Sequence, residues 1–332
     1  MAGNLVAFDI GQYQAKLVWY AGKTEKKAVA APLPDGLAEN GEIRSMDAMA
    51  DFLKKTAREN GIPRAAAAVV LPGRLVFTRI VDVPPMTAAQ LEYNLPFEFK
   101  DYLTQEKGLY VFDYAVQELV RDEAGAATQM KLFACAALKS TIEKYRAMLR
   151  RAGFQLKFAM PEESAFAALV SASASAPEDC CVVDLGHTAT RMHVLHAGRF
   201  VTRRVAEIGV DDVVQALAET RGVDVHMAQE HLLSDYENAL HDPAALELYN
   251  RMAVEIMKAV NFYHYNNRDT SLEQVYLCGG GAAIAPLCEA IEQVTQLRVH
   301  PVQELMAGSA DKTPWLFAKA VGCALQNREG RK

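Results

Sequence analysis

The chain has 332 residues, about half of them hydrophobic, and a formal net charge of −6. That length predicts two domains or lobes rather than one core, and the acidic balance argues against nucleic acid as a partner. No apolar run approaches the roughly 20 residues of a membrane-crossing helix, and no charged leader precedes the first apolar stretch, so no signal peptide is expected. The six cysteines (Cys135, Cys180, Cys181, Cys278, Cys288 and Cys323) form no C-x-x-C pair, and no His cluster completes a zinc set. They are read as reduced and mostly buried.

Strand and helix signals alternate along the chain, which predicts an α/β class. Residues 5–10 and 16–20 read as a hairpin, followed by a polar stretch over 32–41. Ser45 suits an N-cap, with Met46, Met49, Phe52 and Leu53 on one helical face. Gly61 and Pro63 stop that helix, and 65–71 is a short buried strand. A distinct block then runs over 72–153. Strand 75–83 ends at Pro84-Pro85. Thr87 with Gln90 forms a capping box for a helix carrying Leu91 and Leu95, which Pro96 must end or kink. Strands 110–119 and 130–138 follow, then a second capping box at Ser140 and Glu143 and a helical stripe of Ile142, Tyr145 and Leu149. Pro161 opens an Ala-rich helix, and 171–177 reads as a linker.

At 181–195 the opening pattern returns. VAFDIGQYQAKLVW and CVVDLGHTATRMHV each hold an apolar strand, D-x-G, a polar turn, a basic residue and a second strand. This is an internal repeat, one copy per half. Gly209 then leads into helices over 211–221 and 225–238. A long amphipathic helix presents Tyr249, Met252, Ile256, Val260 and Tyr263. A strand runs into the glycine cluster of VYLCGGGAAIAPL, with a helix over 283–294, and Thr313-Pro314 caps a last helix with Val321, Gly322 and Leu325.

A single D-x-G reads first as a plain β-turn. Two matched copies, with a third glycine-rich turn after a strand, fit a specific chemistry. A polyphosphate needs many N–H donors and little steric bulk, which tight glycine turns supply as an anion nest. A Mg²⁺ ion travelling with the phosphates needs carboxylates nearby, and Asp9 and Asp184 offer one from each half. Lys16 and Arg191 add positive charge at the two turns. Gly279, Gly280, Gly281 and Ala282 let a flat ring or a ribose approach the backbone. The G-x-G-x-x-G spacing of a Rossmann turn is missing.

These stretches resemble the superfamily of actin, heat-shock chaperones and sugar kinases: two lobes of a duplicated ribonuclease-H-like sheet with ATP in the cleft. DIGQYQAKLV corresponds to its first phosphate loop, DLGHTATRMHV to its second and LCGGGAAIAPL to its adenosine motif. Within it the chain is similar to the PilM family of type IV pilus assembly. The likeness rests on VFTRIVDVPPMTAAQLEYNLPFEFKDYL (76–103), VFDYAVQEL (111–119) and the helix VEIMKAVNFYHYN (254–266). The resemblance implies a two-lobed actin-like fold with an inserted small α/β subdomain. The first-lobe core would take 1–71, with the insert over 72–153 and the return and linker over 154–178. The second-lobe core would take 179–209, a helical subdomain 210–270, the adenosine motif 271–308 and a helix returning to the first lobe 309–332.

The resemblance also implies ATP and Mg²⁺ as ligands. Asp9, Gly11, Lys16, Asp184, Gly186, Thr188, Gly209, Glu255, Lys258, Gly279, Gly280, Gly281 and Ala282 would hold the nucleotide, with Asp9 and Asp184 at the metal. The implied partner is the N-terminal cytoplasmic tail of a PilN-like inner-membrane protein, docked between the N-terminal sheet and the insert. The protein would then be cytoplasmic and recruited to the inner face of the membrane. Gln12, Tyr13 and Gln14 stand where the family has small hydroxyl residues, His187 where a small residue is usual, and Val210 where a second glycine is expected. These departures predict weakened nucleotide binding and slow or absent hydrolysis, and no catalytic residue is assigned. His187 reads as an exposed turn residue or a phosphate donor. Glu255 and Lys258 would frame adenine and ribose or form a solvated pair. Glu162 and Glu163 complement a helix dipole or activate water. The closing NREGRK lacks the amphipathic membrane helix that ends FtsA. The alternatives on the same fold are a small-molecule kinase and a filament-forming actin-like ATPase.

Overall fold

The computed structural model describes residues 4–39, 42–267, 272–306 and 312–326. The chain divides into two compact units, Met1–Ala165 with Gln326–Lys332, and Phe166–Leu325. In the first, β1 (Asn4–Ile10), β2 (Gln14–Ala21) and β3 (Thr24–Pro32) form an antiparallel meander, with a short β4 (Ala38–Glu39) and β5 (Glu42–Ile43) after it. Next come α1 (Met46–Glu59), β6 (Ala66–Leu71), β7 (Val76–Val83), α2 (Ala88–Glu98), β8 (Tyr110–Arg121), β9 (Ala127–Leu138), α3 (Lys139–Ala152) and β10 (Gln155–Pro161). The unit boundary falls inside α4 (Glu162–Ala172). The main sheet has the order β10-β6-β1-β2-β3, with β6 parallel to both β1 and β10. β1 is buried on both faces from Leu5 to Ile10, as suits a central strand covered on either side.

Ser45 caps α1 by accepting from the Ala48 amide at 3.2 Å, as its position predicts. Met49, Leu53 and Ala57 of α1 and Tyr145, Met148 and Leu149 of α3 share one core with Phe8, Leu17 and Val69. So α3, grouped with the small block in the sequence reading, packs on the main sheet. Ser140 does not cap it. β9 runs directly into α3 with Leu138 as N-cap, so Ser140 lies inside the helix, where a capping side chain has no free amide ahead of it. The small block is a β7-β9-β8 sheet with its own core of Val81, Leu91, Leu95, Phe99 and Leu132. The Thr87–Gln90 capping box opens α2, and Pro96 sits inside that helix, which continues to Glu98.

The second unit repeats the plan. β11 (Asp179–Leu185), β12 (Thr190–His196) and β13 (Arg199–Ala206) form a second meander. The sheet order is β13-β12-β11-β14-β15, with β14 (Gln274–Cys278) parallel to β11 and β15 (Arg298–Pro301) parallel to β14. Strand for strand this is the first sheet again. Its helices are α5 (Val210–Arg221), α6 (Val225–Ser234), α7 (Pro243–Asn266), α8 (Ala285–Thr295) and α9 (Ala318–Gln326), the last within this unit through Leu325. Their core joins Val183, Leu185, Leu217, Tyr249, Met252, Ile256 and Ile291.

Several boundaries differ from the sequence reading. α6 stops at Ser234 because Asp235, Glu237 and Asn238 take left-handed backbone. Pro314 opens a 3-10 turn (Pro314–Leu316), and α9 starts only at Ala318. The 171–177 stretch is pinned: the Ser171 and Ser175 hydroxyls donate to the Gly198 and Glu304 carbonyls. The six cysteines are free thiols. The charged tail at 327–332 and Gly41 lie outside the described residues.

Candidate functional site

The two D-x-G hairpins match in register as well as in sequence. Asp9 lies opposite Lys16, and Asp184 opposite Arg191. In each turn the glycine amide donates to the carbonyl three residues on, Gly11 to Gln14 at 3.0 Å and Gly186 to Ala189 at 3.1 Å. Both aspartates are 4 % exposed. The Lys16 ammonium stands 3.5 Å from Asp9 Oδ2. Burial pushes the Tyr145 phenol in the same unit up to about 12, with Arg74 opposing and Asp9 adding.

The second hairpin is locked to its neighbours. The Gly186 and His187 carbonyls accept from the Val210 and Asp211 amides, so the turn sits on the first turn of α5. The Gly209 amide donates to Asp212 Oδ2 at 2.8 Å, and the buried Thr190 hydroxyl donates to the Ile208 carbonyl at 2.9 Å. Thr188 is half-buried in the turn. His187 is also half-buried, its Nε2 3.4 Å from Asp211 Oδ1. The glycine cluster packs on this hairpin. At Gly279 (φ +86°) a Cβ would meet Asp184 Oδ1, and at Gly281 it would lie 2.8 Å from Leu185 Cβ. Only glycine accepts both that φ and that approach. The Ala282 amide closes the turn on the Gly279 carbonyl at 3.2 Å. Gly280 is different: it is exposed, and nothing lies within 4 Å of where its Cβ would be.

Beside Gly209 opens a cavity of about 720 Å³, lined by Ala206 and Ile208 at the exit of β13 and by Arg251, Val254, Glu255 and Lys258 of α7. Glu255 and Lys258 pair at 2.6 Å on its wall. Its lining mixes aliphatic side chains with the charged Glu207, Glu247, Arg251, Glu255 and Lys258.

Sequence reasoning missed Lys319. This α9 lysine reaches Asp184 Oδ2 at 2.9 Å. The signal was available, since Lys319 stands between buried Ala318 and Ala320 in an otherwise apolar stretch. It also missed His193, fully buried on β12 against the Phe166 ring at 4.7 Å. Burial pulls its pKa down to about 3, with Asp184 opposing that shift and Arg203, Lys319 and Arg191 adding to it. Glu162 and Glu163 are both buried in the first turn of α4, and the Thr78 hydroxyl donates to Glu163 Oε1 at 3.0 Å. Asp9, Gly11, Lys16, Glu162 and Glu163 belong to the first unit, and the remaining candidates to the second.

A family model described as type IV pilus assembly protein PilM matches residues 7–314. The chain belongs to the PilM family. Its process is therefore type IV pilus assembly. Among solved structures, the chain is similar to one titled "PilM-PilN type IV pilus biogenesis complex" (21 % identity, TM-score 0.82, covering 98 % of each chain). It is also similar to the ethanolamine utilization protein EutJ of Carboxydothermus hydrogenoformans (15 % identity, TM-score 0.62, covering 97 % of this chain and 89 % of that one). A third likeness is MreB 5 of Spiroplasma citri bound to AMPPNP (12 % identity, TM-score 0.54, covering 99 % and 97 %). At these identities the neighbours establish the fold, the two-lobed actin-like one that the family resemblance implies. Proteins of that fold generally bind a nucleotide with a divalent metal. No helix among the described residues is long and apolar enough to cross a membrane.

Proposed function

We propose that this PilM-family chain is a nucleotide-binding scaffold that takes ATP on the second unit and docks the N-terminal cytoplasmic tail of a PilN-like membrane protein. It would work in the cytoplasm, against the inner face of the membrane. Gly280 carries the nucleotide reading. Its backbone is not in the left-handed region and no neighbour crowds it, so the fold has no need of a glycine there. A ligand pressed against the backbone does. Gly186, Thr188, Gly209, Gly279, Gly281 and Ala282 shape the surrounding turns, and Glu255 and Lys258 offer hydrogen bonds to ribose and base from the cavity wall. The first hairpin, with Asp9, Gly11 and Lys16, is assigned the same phosphate-binding chemistry within its own unit.

The divalent metal expected at Asp9 and Asp184 does not fit these carboxylates as they stand, because each has a lysine ammonium beside it. The partner reading draws support from the small sheet block, which leaves Tyr93, Phe97, Tyr102, Val111 and Val116 exposed, an apolar surface of the kind protein partners cover.

Calorimetric titration with ATP tests the first half. Lys258→Ala and Glu255→Ala lie on an exposed helix face, so they should weaken binding about tenfold each while leaving the fold intact. Undiminished binding in both would remove α7 from the site. For the second half, a synthetic PilN N-terminal tail peptide should co-elute with the chain, and no retention would end the docking proposal.

A further inference from the structure

We propose that Lys319 is a resident counter-cation on Asp184, and that the second hairpin therefore receives its polyphosphate without a divalent metal. The ligand half of this statement rests on the nucleotide reading above; the cation half stands on geometry alone. Both oxygens of Asp184 are covered. Oδ2 accepts from the Lys319 ammonium at 2.9 Å. Oδ1 faces the backbone of Gly279, so closely that a Cβ there would lie 2.5 Å from it. The two side chains are 6 % and 16 % exposed, so the pair is shielded from solvent.

Mg²⁺ demands oxygen ligands at about 2.0–2.1 Å in near-octahedral order and gives up its waters reluctantly. Direct coordination by Asp184 would require expelling the ammonium from Oδ2, and a buried charge that loses its counter-ion is strongly disfavoured. The backbone that carries Lys319 is held in place. Ala318 and Ala320 beside it are buried, and the turn before α9 is tied to the glycine cluster by the Gly279 amide donating to the Trp315 carbonyl at 3.0 Å. The acids nearest on α5 are already engaged, Asp211 with His187 and Asp212 with the Gly209 amide. Among the described residues no three metal-ligating side chains of His, Cys, Asp or Glu come together. A lysine ammonium is itself a good phosphate binder, a compact charge with three donors, so Lys319 supplies what the metal would have supplied.

The test uses the whole chain, Mn²⁺ as a paramagnetic probe, and ATP with either Mg²⁺ or EDTA. Wild type should show no Mn²⁺ site that Asp184→Asn removes, and its ATP affinity should change less than about threefold between Mg²⁺ and EDTA. Lys319→Met should gain a Mn²⁺ site, lost again in the Asp184→Asn, Lys319→Met double variant, and should need metal for ATP by about tenfold or more. Lys319→Arg should stay metal-independent. A wild-type Mn²⁺ site removed by Asp184→Asn, or ATP binding abolished by EDTA, overturns the proposal. If wild type binds no ATP in either condition, the nucleotide reading fails, and the Mn²⁺ result still decides the role of Lys319. If Lys319→Met does not fold, the wild-type and Lys319→Arg arms decide it.

Discussion

At Gly209 the backbone is extended, with φ −146°, so conformation does not require glycine there. Space does. A Cβ would sit 2.7 Å from the Ala189 amide nitrogen and closer still to the His187 carbonyl. Gly209→Ala would force the second hairpin off α5, a destabilisation of about 1–3 kcal/mol, measurable by urea unfolding. Gly280→Ala has nothing to collide with, so its stability should match wild type while ATP affinity falls. A variant that is stable and binds ATP normally would detach Gly280 from the ligand. His193 makes a different test. It is buried and neutral, and neither ring nitrogen has a hydrogen-bond partner among the described residues. Its folded pKa, pulled down to about 3 from an unfolded value near 6.5, means that between those values the unfolded chain binds more protons. Stability is then complete above pH 6.5 and falls as pH drops, by on the order of 1.4 kcal/mol per pH unit from this group. Urea unfolding at pH 7 and pH 5 should show that loss in wild type, and His193→Leu should show correspondingly less.

Which strands were visible in the sequence follows from where they sit in the two main sheets. β1, β2, β6, β11, β12 and β14 are interior and announce themselves as apolar runs. β3, β10, β13 and β15 escaped notice, and they are the four edges of those sheets. Edge strands carry charged side chains that discourage pairing with other chains. TEKKAVAAP and RFVTRRVA carry such charges and do not stand out as strands. The phosphate-type turns were legible because glycine and aspartate recur there at fixed offsets. Lys319 stood out only as a lone charge in an apolar stretch, and its partner did not, because an ion pair to a residue 135 positions earlier leaves no local pattern. The starts of α1 and α2, each preceded by a loop and a capping side chain, were legible, and that of α3, which follows β9 without a loop, was not. Ser45→Ala removes a real cap and should cost about 1 kcal/mol. Ser140→Ala, at a position inside α3, should be neutral or slightly stabilising, since alanine is the better helix former. Chemical denaturation of both variants checks the contrast, and equal losses would contradict the assigned start of α3.

The duplication takes in both main sheets, and each unit happens to hold one of the chain's two tryptophans. Trp19 lies on β2 of the first unit, and Trp315 lies in the 3-10 turn before α9 of the second. The Trp315 carbonyl accepts the Gly279 amide, so its main chain is tied to the glycine cluster. Trp19→Phe and Trp315→Phe then give single-tryptophan chains in which fluorescence follows one unit at a time. A ligand held mainly by the second unit stabilises it by mass action, by about 2.7 kcal/mol at a hundredfold excess over Kd. For a unit of this size that raises the Trp315-reported transition by roughly 5–10 °C. If the units unfold separately, the Trp19-reported transition should move less. If the two transitions coincide with and without ATP, the units unfold together, and the ligand's stabilisation is shared by the entire chain. A larger shift at Trp19 than at Trp315 would mean that the nucleotide is held chiefly by the first hairpin, and would overturn the assignment of the cavity on α7.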